Sequence, residues 1–192
     1  MMSDSAKCEF PQLETKNLIL RATNLSDAEA IFQVFANEDV TKYHDLEPPT
    51  SIEQVKGLIH RRSERFQSKQ GIRWGIARKN DNVIIGSCGY RYKNPFLAEL
   101  GYELARAYWR QGIMTEALGA VIEFGFEAIA LNRIEAMVML ENTASIKLLQ
   151  KLGFLEEGIL REYGYWKGQF HDLRIFSLLK KDYQLQNSAS QE

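Results

Sequence analysis

A short turn in the middle of the chain has the residue types that bind an anion through the backbone. It stands between a strand-like run over 97–104 and a helix-like run over 112–130, and it contains Arg110, Gln111, Gly112, Ile113, Met114 and Thr115. The first N–H groups of a helix have no partner inside it, and the helix dipole adds partial positive charge there. The glycine lets a ligand approach the backbone closely. The pattern predicts an anion site, for which a phosphate is the usual ligand.

The elements that would position this turn alternate between strands and helices. Apolar periodicity predicts strands over 17–21, 74–78, 83–92, 98–104, 133–140, 154–165 and 170–179, and helices that begin near residues 26, 52, 112 and 142. This order predicts an α/β (mixed α+β) fold, a central twisted mixed sheet of about seven strands flanked by about four helices. We expect a lead-in over 1–16, a single domain over 17–183 and a polar, frayed tail over 184–192.

A second block, from Asn142 to Phe154, lies downstream of the turn and reads Asn-Thr-Ala-Ser-Ile-Lys-Leu-Leu-Gln-Lys-Leu-Gly-Phe. Together, the two blocks resemble the two acetyl-CoA motifs of the GCN5-related N-acetyltransferases (GNATs). The phrases over 98–104, 131–136 and 160–163 are similar to the branch of the Rim-type ribosomal-protein N-acetyltransferases. The resemblance covers residues 18–183 and implies a central sheet of the GNAT type.

The resemblance implies that acetyl-CoA is the co-substrate and that no metal takes part. The turn over 110–115 would cradle the pyrophosphate, with Met114, where the family prefers Gly or Ala, pointing away from it. The pantetheine amides would pair with the strand over Tyr102–Leu104, in a gap beside the strand over 133–140. The resemblance also places Asn142 and Lys151 of the second motif at the cofactor. Asn is equally a favoured helix N-cap, and both roles stay open for Asn142.

The reaction that the resemblance implies is direct acetyl transfer to a primary amine, with a base for the amine proton and an acid for the thiolate. Glu99 is the first candidate for the base, because several members of the family carry their catalytic glutamate on this strand. Glu162 is the second: some Rim-type relatives use a glutamate from the late strand, but the position that matches theirs is Gly164, and Glu162 lies two residues away, on the same face by strand alternation. A water chain is a further alternative. Leu149 stands where many members of the family have a tyrosine acid. The Rim-type branch has a serine at the position of Ser145 instead, so the resemblance implies that Ser145 is the candidate acid, with a structural role as a helix-start hydroxyl as the alternative. A backbone N–H near Tyr102–Leu104 would bind the oxyanion.

Composition excludes several other classes of function. With 24 basic and 25 acidic residues the net charge is −1, which predicts neither a nucleic-acid nor a membrane partner. We expect a cytoplasmic protein, because no signal peptide or membrane-spanning run is present. Cys8 and Cys88 are too few and too far apart for a disulfide or metal framework, and Cys88 reads as a core thiol. The run His60-Arg61-Arg62 predicts a solvated helix face.

Two hypotheses from different classes follow. One is an acetyltransferase whose acceptor is the N-terminal α-amine of a protein, such as a ribosomal protein, or a small-molecule amine. The other is an acetyl-CoA-binding sensor without turnover, which the replaced tyrosine and the shifted glutamate favour. A nucleotide-binding domain is disfavoured, because the chain has neither G-x-x-x-x-G-K-[ST] nor an early G-x-G-x-x-G. The sequence leaves the choice between monomer and homodimer open.

Overall fold

A single mixed sheet runs through the part of the chain that the structure, a computed structural model, describes: residues 9–45 and 47–189. Its eight strands within those ranges are β1 (Leu13–Glu14), β2 (Leu18–Arg21), β3 (Gly71–Arg78), β4 (Ile84–Asn94), β5 (Leu97–Leu104), β6 (Arg133–Met139), β7 (Leu155–Trp166) and β8 (Gln169–Leu179). Their order across the sheet is β1-β2-β3-β4-β5-β6-β8-β7. Only β5 and β6 are parallel, while every other neighbouring pair is antiparallel.

Helices cover both faces of this sheet. The six α-helices of the described residues are α1 (Ala28–Phe35), α2 (Glu38–Thr41), α3 (Ile52–Gln67), α4 (Ile113–Glu127), α5 (Thr143–Lys151) and α6 (Lys180–Ala189). Helices α4 and α5 pack on one face over the larger core, and α1 and α3 pack on the other over a smaller one. Tyr183 brings α6 to the α4 face, with its ring 5.1 Å from that of Phe126.

Successive side chains of β5 point to opposite faces of the sheet, so they pack against different helices. Ala98, Leu100 and Leu104 belong to the core beneath α4, and Tyr102 packs against it. Glu99 and Glu103 occupy the alternate positions and therefore face the side of α1 and α3. The strand thus presents aromatic and aliphatic groups to one layer and carboxylates to the other.

A gap opens between β5 and β6 after three residue pairs. The parallel register joins Leu97 to Arg133 and Ala98 to Ile134, and it ends at Glu99 and Glu135. Beyond that point β5 continues to Leu104 beside β4, and β6 continues to Met139 beside β8. The carboxyl ends of two parallel strands therefore diverge, which is where open α/β sheets bind ligands.

The predicted mixed α/β fold is confirmed, and the structure adds three elements to the predicted order. Strand β1 and helix α2 are too short to show a periodic pattern. Helix α6 covers residues for which a frayed polar tail was expected over 184–192. Within 9–45 and 47–189, no helix is long and apolar enough to cross a membrane.

The prediction for Cys88 is confirmed, because its thiol is fully buried in the larger core. Burial raises the pKa of that thiol to about 12, so it stays protonated and inert. Cys8 lies outside the described residues.

Candidate active site

The turn before α4 presents a set of unpartnered backbone donors. Arg110 and Gly112 both have left-handed backbones, with φ of +61° and +78°. None of the N–H groups from Gly112 to Thr115 has an acceptor among the described residues, and the first bond of α4 runs from Glu116 N to Gly112 O at 3.0 Å. Met114 packs into the core, so its side chain leaves the turn clear. The turn therefore has the donors that an anion needs.

Trp109 fixes the turn against the end of β5. Its Nε1 donates to the carbonyl of Leu104 at 2.7 Å, and the guanidinium of Arg106 lies 4.6 Å from its ring centroid. The Gln111 side chain donates to the carbonyl of Ala107 at 2.9 Å, which occupies it within the turn. The anion donors of the turn are thus main-chain groups held at a fixed place beside the gap.

The backbone of Tyr102 faces the gap. Paired residues of antiparallel strands alternate between those that exchange hydrogen bonds and those whose N–H and C=O point away. Ala105 N donates to Ile85 O at 2.8 Å, and Tyr102, three positions earlier, pairs with Cys88. The N–H and C=O of Tyr102 therefore point away from β4, to the side where β6 has diverged. An extended ligand in the gap can pair with them as an added strand would.

The side chain of Tyr102 reaches across to α5. Its hydroxyl lies 2.5 Å from the hydroxyl of Ser145, which stands in the first turn of that helix. Asn142 caps the same helix, with its Oδ1 accepting from Ser145 N at 3.2 Å. Burial raises the pKa of Tyr102 to about 12, which keeps its hydroxyl protonated. The N-cap role predicted for Asn142 is thus present in the structure.

The other residues of the second motif divide between core and surface. Leu149, whose side chain has no hydroxyl, is fully buried in the core. Lys151 ends α5 and is exposed. Its predicted contact with the cofactor stays a prediction.

Glu99, the first candidate for the base, lies where β5 and β6 part. Both of its carboxylate oxygens accept from Arg91 Nη2 at 2.8 Å, and Lys93 Nζ lies 2.7 Å from one of them. Burial by itself raises the pKa of this carboxyl, but the hydrogen bonds from Lys93 and Arg91 outweigh it and lower the pKa. Glu99 is therefore ionised at neutral pH and is a weak base.

Glu162, the second candidate, lies on a bulge of the edge strand β7. The register with β8 shifts between Leu160 and Gly164, and Glu162 has a φ of +48°. The bulge therefore interrupts the regular pleat on which the expected shared face of Glu162 and Gly164 rested. The Glu162 side chain is exposed, and β8 and β6 stand between its strand and the gap.

Aromatic rings occupy the place of a side chain at Gly164. A Cβ there would lie 2.0 Å from the ring of Trp166. That ring stacks on His171, with centroids 4.2 Å apart, and His171 pairs with Gly164 across the hairpin. As these rings are placed, only a glycine fits at this position.

A buried ion cluster on the α3 face was missed by the sequence reasoning. Glu103 is 6% exposed and accepts hydrogen bonds from Arg73, Arg62 and Ser87. Burial by itself raises the pKa of Glu103, but the charges of Arg73 and Arg62 outweigh it and lower the pKa to about 2. Arg62 was predicted on a solvated face, and that prediction is wrong for this residue. Burial lowers its pKa to about 10.

Helix α2 and the two residues that follow it, 38–43, form a segment that we call the α2 segment. This segment lies over the divergent ends of β5 and β6. It is held there by three contacts: the Asp39–Arg106 ion pair at 3.2 Å, Tyr43 Oη to Glu141 O at 3.4 Å, and Lys167 Nζ to Thr41 O at 2.9 Å. Arg106 follows β5 and Glu141 follows β6, so this segment bridges the edge at which the gap opens. Lys167 adds the tip of the β7–β8 hairpin to the same wall.

A cavity of about 470 Å³ adjoins the α2 segment. Its walls include His44, Glu47 and Glu53 together with apolar groups of α1 and α3. Burial lowers the pKa of His44, which keeps its imidazole neutral at pH 7. Within the described ranges, no group of three or more His, Cys, Asp or Glu residues is placed to hold a metal ion.

Comparisons with known proteins agree with this architecture. Residues 17–155 match the family model described as an acetyltransferase (GNAT) domain. A Bacillus subtilis protein named as an uncharacterized N-acetyltransferase, YoaA, is 43% identical over 89% of this chain and 98% of its own length. The ribosomal-protein-S5-alanine acetyltransferase of Vibrio fischeri is 27% identical, with a TM-score of 0.78 over 90% of this chain and 98% of that one.

One further structure shows the same fold in a complex. RimL, a ribosomal α-N-protein acetyltransferase solved with coenzyme A, superposes with a TM-score of 0.80 at 22% identity, over 88% of this chain and 98% of that one. At that identity the likeness concerns the fold alone.

Proposed function

Because this chain belongs to the acetyltransferase (GNAT) family, we propose that its acceptor is the α-amine at the N-terminus of a protein, such as a ribosomal protein. The chain is an N-acetyltransferase, as its family and its relatives are. One observation supports the location of the site: the unpartnered donors of the turn and the free backbone of Tyr102 lie at the same divergent edge of the sheet.

In this proposal, the N–H groups from Gln111 to Thr115 bind the pyrophosphate of acetyl-CoA. The N–H and C=O of Tyr102 pair with the amides of the pantetheine arm. The N–H of Leu104, which alternation also directs away from β4, is the candidate for binding the oxyanion. Lys151, at the exposed end of α5, is the remaining candidate contact for the cofactor. Acetyl-CoA supplies the activated acetyl group, and the protein supplies orientation and donors.

The reaction needs a base that takes a proton from the amine and an acid that gives a proton to the thiolate. Glu99, ionised and at the vertex of the gap, is the candidate that takes the proton of the amine, directly or through water. Glu162 is the second candidate, and it would have to reach the site from the edge strand. Ser145 is the candidate that hydrogen-bonds the departing thiolate, because its hydroxyl stands beside Tyr102, which lines the gap.

An extended acceptor fits the wall that α2 and the hairpin form. Beyond the Lys167 contact, the hairpin exposes Tyr163, Tyr165 and Phe170, each with more than half of its surface accessible. Such side chains offer apolar contact to a peptide backbone. The name of the Vibrio fischeri protein supports the same class of acceptor, since that relative acts on a ribosomal protein.

The experiment is a thiol-release assay with acetyl-CoA and a panel of acceptors. The panel contains peptides that begin with Ala or Ser, the same peptides with a blocked N-terminus and an internal lysine, and spermidine. We expect CoA release and a mass gain of one acetyl group on the free N-termini only. Turnover confined to spermidine or to the lysine of blocked peptides would reject the protein N-terminus as acceptor.

A further inference from the structure

The hydroxyl pair formed by Tyr102 and Ser145 joins two elements that are distant in sequence. The two oxygens are 2.5 Å apart, and the residues are 43 positions apart. Tyr102 comes from β5 and Ser145 from the first turn of α5, so the bond crosses between the strand that lines the gap and the helix behind it. No other hydrogen bond of either hydroxyl is present among the described residues.

Ser145 is held at two points. The hydroxyl of a serine can bond to a backbone carbonyl three or four residues earlier in the chain. Here the hydroxyl is drawn to Tyr102 instead, while Asn142 fixes the Ser145 backbone by accepting its N–H. The backbone position and the hydroxyl direction of Ser145 are therefore set by different residues.

Tyr102 is the better donor of the two. A phenol is more acidic than an aliphatic alcohol, so the shorter, stronger arrangement has the Tyr102 O–H donating to Ser145 Oγ. A serine oxygen that accepts one hydrogen bond keeps its own O–H free to point elsewhere. The free direction is away from Tyr102, and the gap is the open space beside this pair.

We propose that Tyr102 is a positioning residue for Ser145, holding the serine hydroxyl so that its O–H is directed at the sulfur of the thioester. This rests on the proposed function, in which acetyl-CoA lies in the gap. In the reaction, the amine nitrogen bonds to the acetyl carbon, the C–S bond breaks and its electron pair goes to sulfur. The amine gives one proton to the candidate base, Glu99 or a water. The thiolate takes the proton of the Ser145 hydroxyl, and Ser145 regains a proton from solvent, so charge and atoms balance. Tyr102 keeps its proton throughout.

A double-mutant cycle tests the proposal. Tyr102→Phe, Ser145→Ala and the double variant are compared with Tyr92→Phe, which removes a partly buried hydroxyl on neighbouring β4 that has no partner among the described residues. For each, kcat and KM for acetyl-CoA, direct cofactor affinity and the melting temperature are measured with one fixed acceptor.

We expect Tyr102→Phe to lower kcat about three- to tenfold, which corresponds to one lost hydrogen bond of about 0.5–1.5 kcal/mol. Ser145→Ala is expected to lower kcat about 100-fold, the lower end for a group that assists proton transfer. In the Ser145→Ala background, Tyr102→Phe should have no further effect on kcat. Tyr92→Phe should leave kcat unchanged. In all four variants the affinity for acetyl-CoA should stay within about twofold of the wild-type value, well below the tenfold change that loss of about 1.4 kcal/mol of binding energy would cause.

The outcomes separate the two proposals. If Tyr102→Phe and Ser145→Ala lower kcat additively, or if Tyr102→Phe acts only on KM or on the melting temperature, the positioning role is rejected while the proposed function stands. If the wild-type chain binds acetyl-CoA but releases no CoA with any amine, the proposed function is rejected and the positioning role with it.

Discussion

Replacing Gly112 by alanine tests the turn before α4, because it adds a single methyl group at a left-handed position. Gly112 has a φ of +78°, and a Cβ built there meets no described atom within 4 Å. The left-handed conformation costs an alanine about 1–2 kcal/mol. The variant can keep that strain or relax toward negative φ, and relaxation rotates the neighbouring N–H groups. In both cases the methyl group stands beside the donors that are proposed to bind pyrophosphate.

The chain contains a matched control in Gly168, at the turn between β7 and β8. Its φ is also +78°, and a Cβ built there also meets no described atom within 4 Å. Gly112→Ala and Gly168→Ala should therefore lower the free energy of unfolding by similar amounts, about 1–2 kcal/mol each. Only Gly112→Ala should weaken acetyl-CoA binding, by at least tenfold, which is about 1.4 kcal/mol.

Isothermal titration calorimetry with acetyl-CoA and urea unfolding of both variants give the two quantities. Gln111→Ala serves as a second control, since that side chain bonds within the turn and its loss should leave affinity nearly unchanged. Wild-type affinity in Gly112→Ala, together with a stability loss equal to that of Gly168→Ala, would show that the turn is not the pyrophosphate site.

Three further variants address the rest of the site. Glu103→Gln should lower the free energy of unfolding by about 3–5 kcal/mol, because two buried arginines lose their carboxylate, and urea unfolding measures it. In the wild type, this carboxylate should stabilise the fold fully above its ordinary pKa of 4.5 and lose that effect as the pH falls toward about 2, a dependence that Glu103→Gln should lack. Asn142→Ala should cost about 1 kcal/mol of stability as a lost N-cap and should also lower kcat, since the cap fixes Ser145. Glu99→Gln should lower kcat/KM at least 100-fold if Glu99 is the base, and a loss below tenfold would assign proton removal to Glu162 or water.

The parts of the site that are contiguous in sequence could be predicted, and those that depend on register could not. The backbone geometry of the turn over 110–115 and of the block over 142–154 depends mainly on neighbouring residues, so both could be predicted from the sequence as candidate parts of the site. The Tyr102–Ser145 bond depends on which way Tyr102 faces and on how α5 lies over the gap. The bulge before Gly164 had no signal in the alternation of β7, and it interrupts the pleat from which the face of Glu162 was predicted.

The buried position of Arg62 could have been predicted from the helical spacing of α3. Val55 and Ile59 are the buried residues of α3, and Arg62 follows them at helical spacing, so it shares their inward face. A charged residue on a buried stripe requires a partner of opposite charge. The alternate face of β5 supplies it in Glu103, which also accepts from Arg73.

The proposed sites for donor and acceptor differ in how much of them the sequence could reveal. In the proposed function, the acetyl donor is bound by backbone groups of a short turn, which do not depend on the side chain of Met114. The proposed acceptor wall is made by three segments that are far apart in the chain: α2, the β6–α5 turn and the β7–β8 hairpin. Contacts such as Lys167 to Thr41, 126 positions apart, carry no local signature. If the proposed function holds, specificity for the amine resides in the packing of these segments, which no local stretch of the sequence encodes.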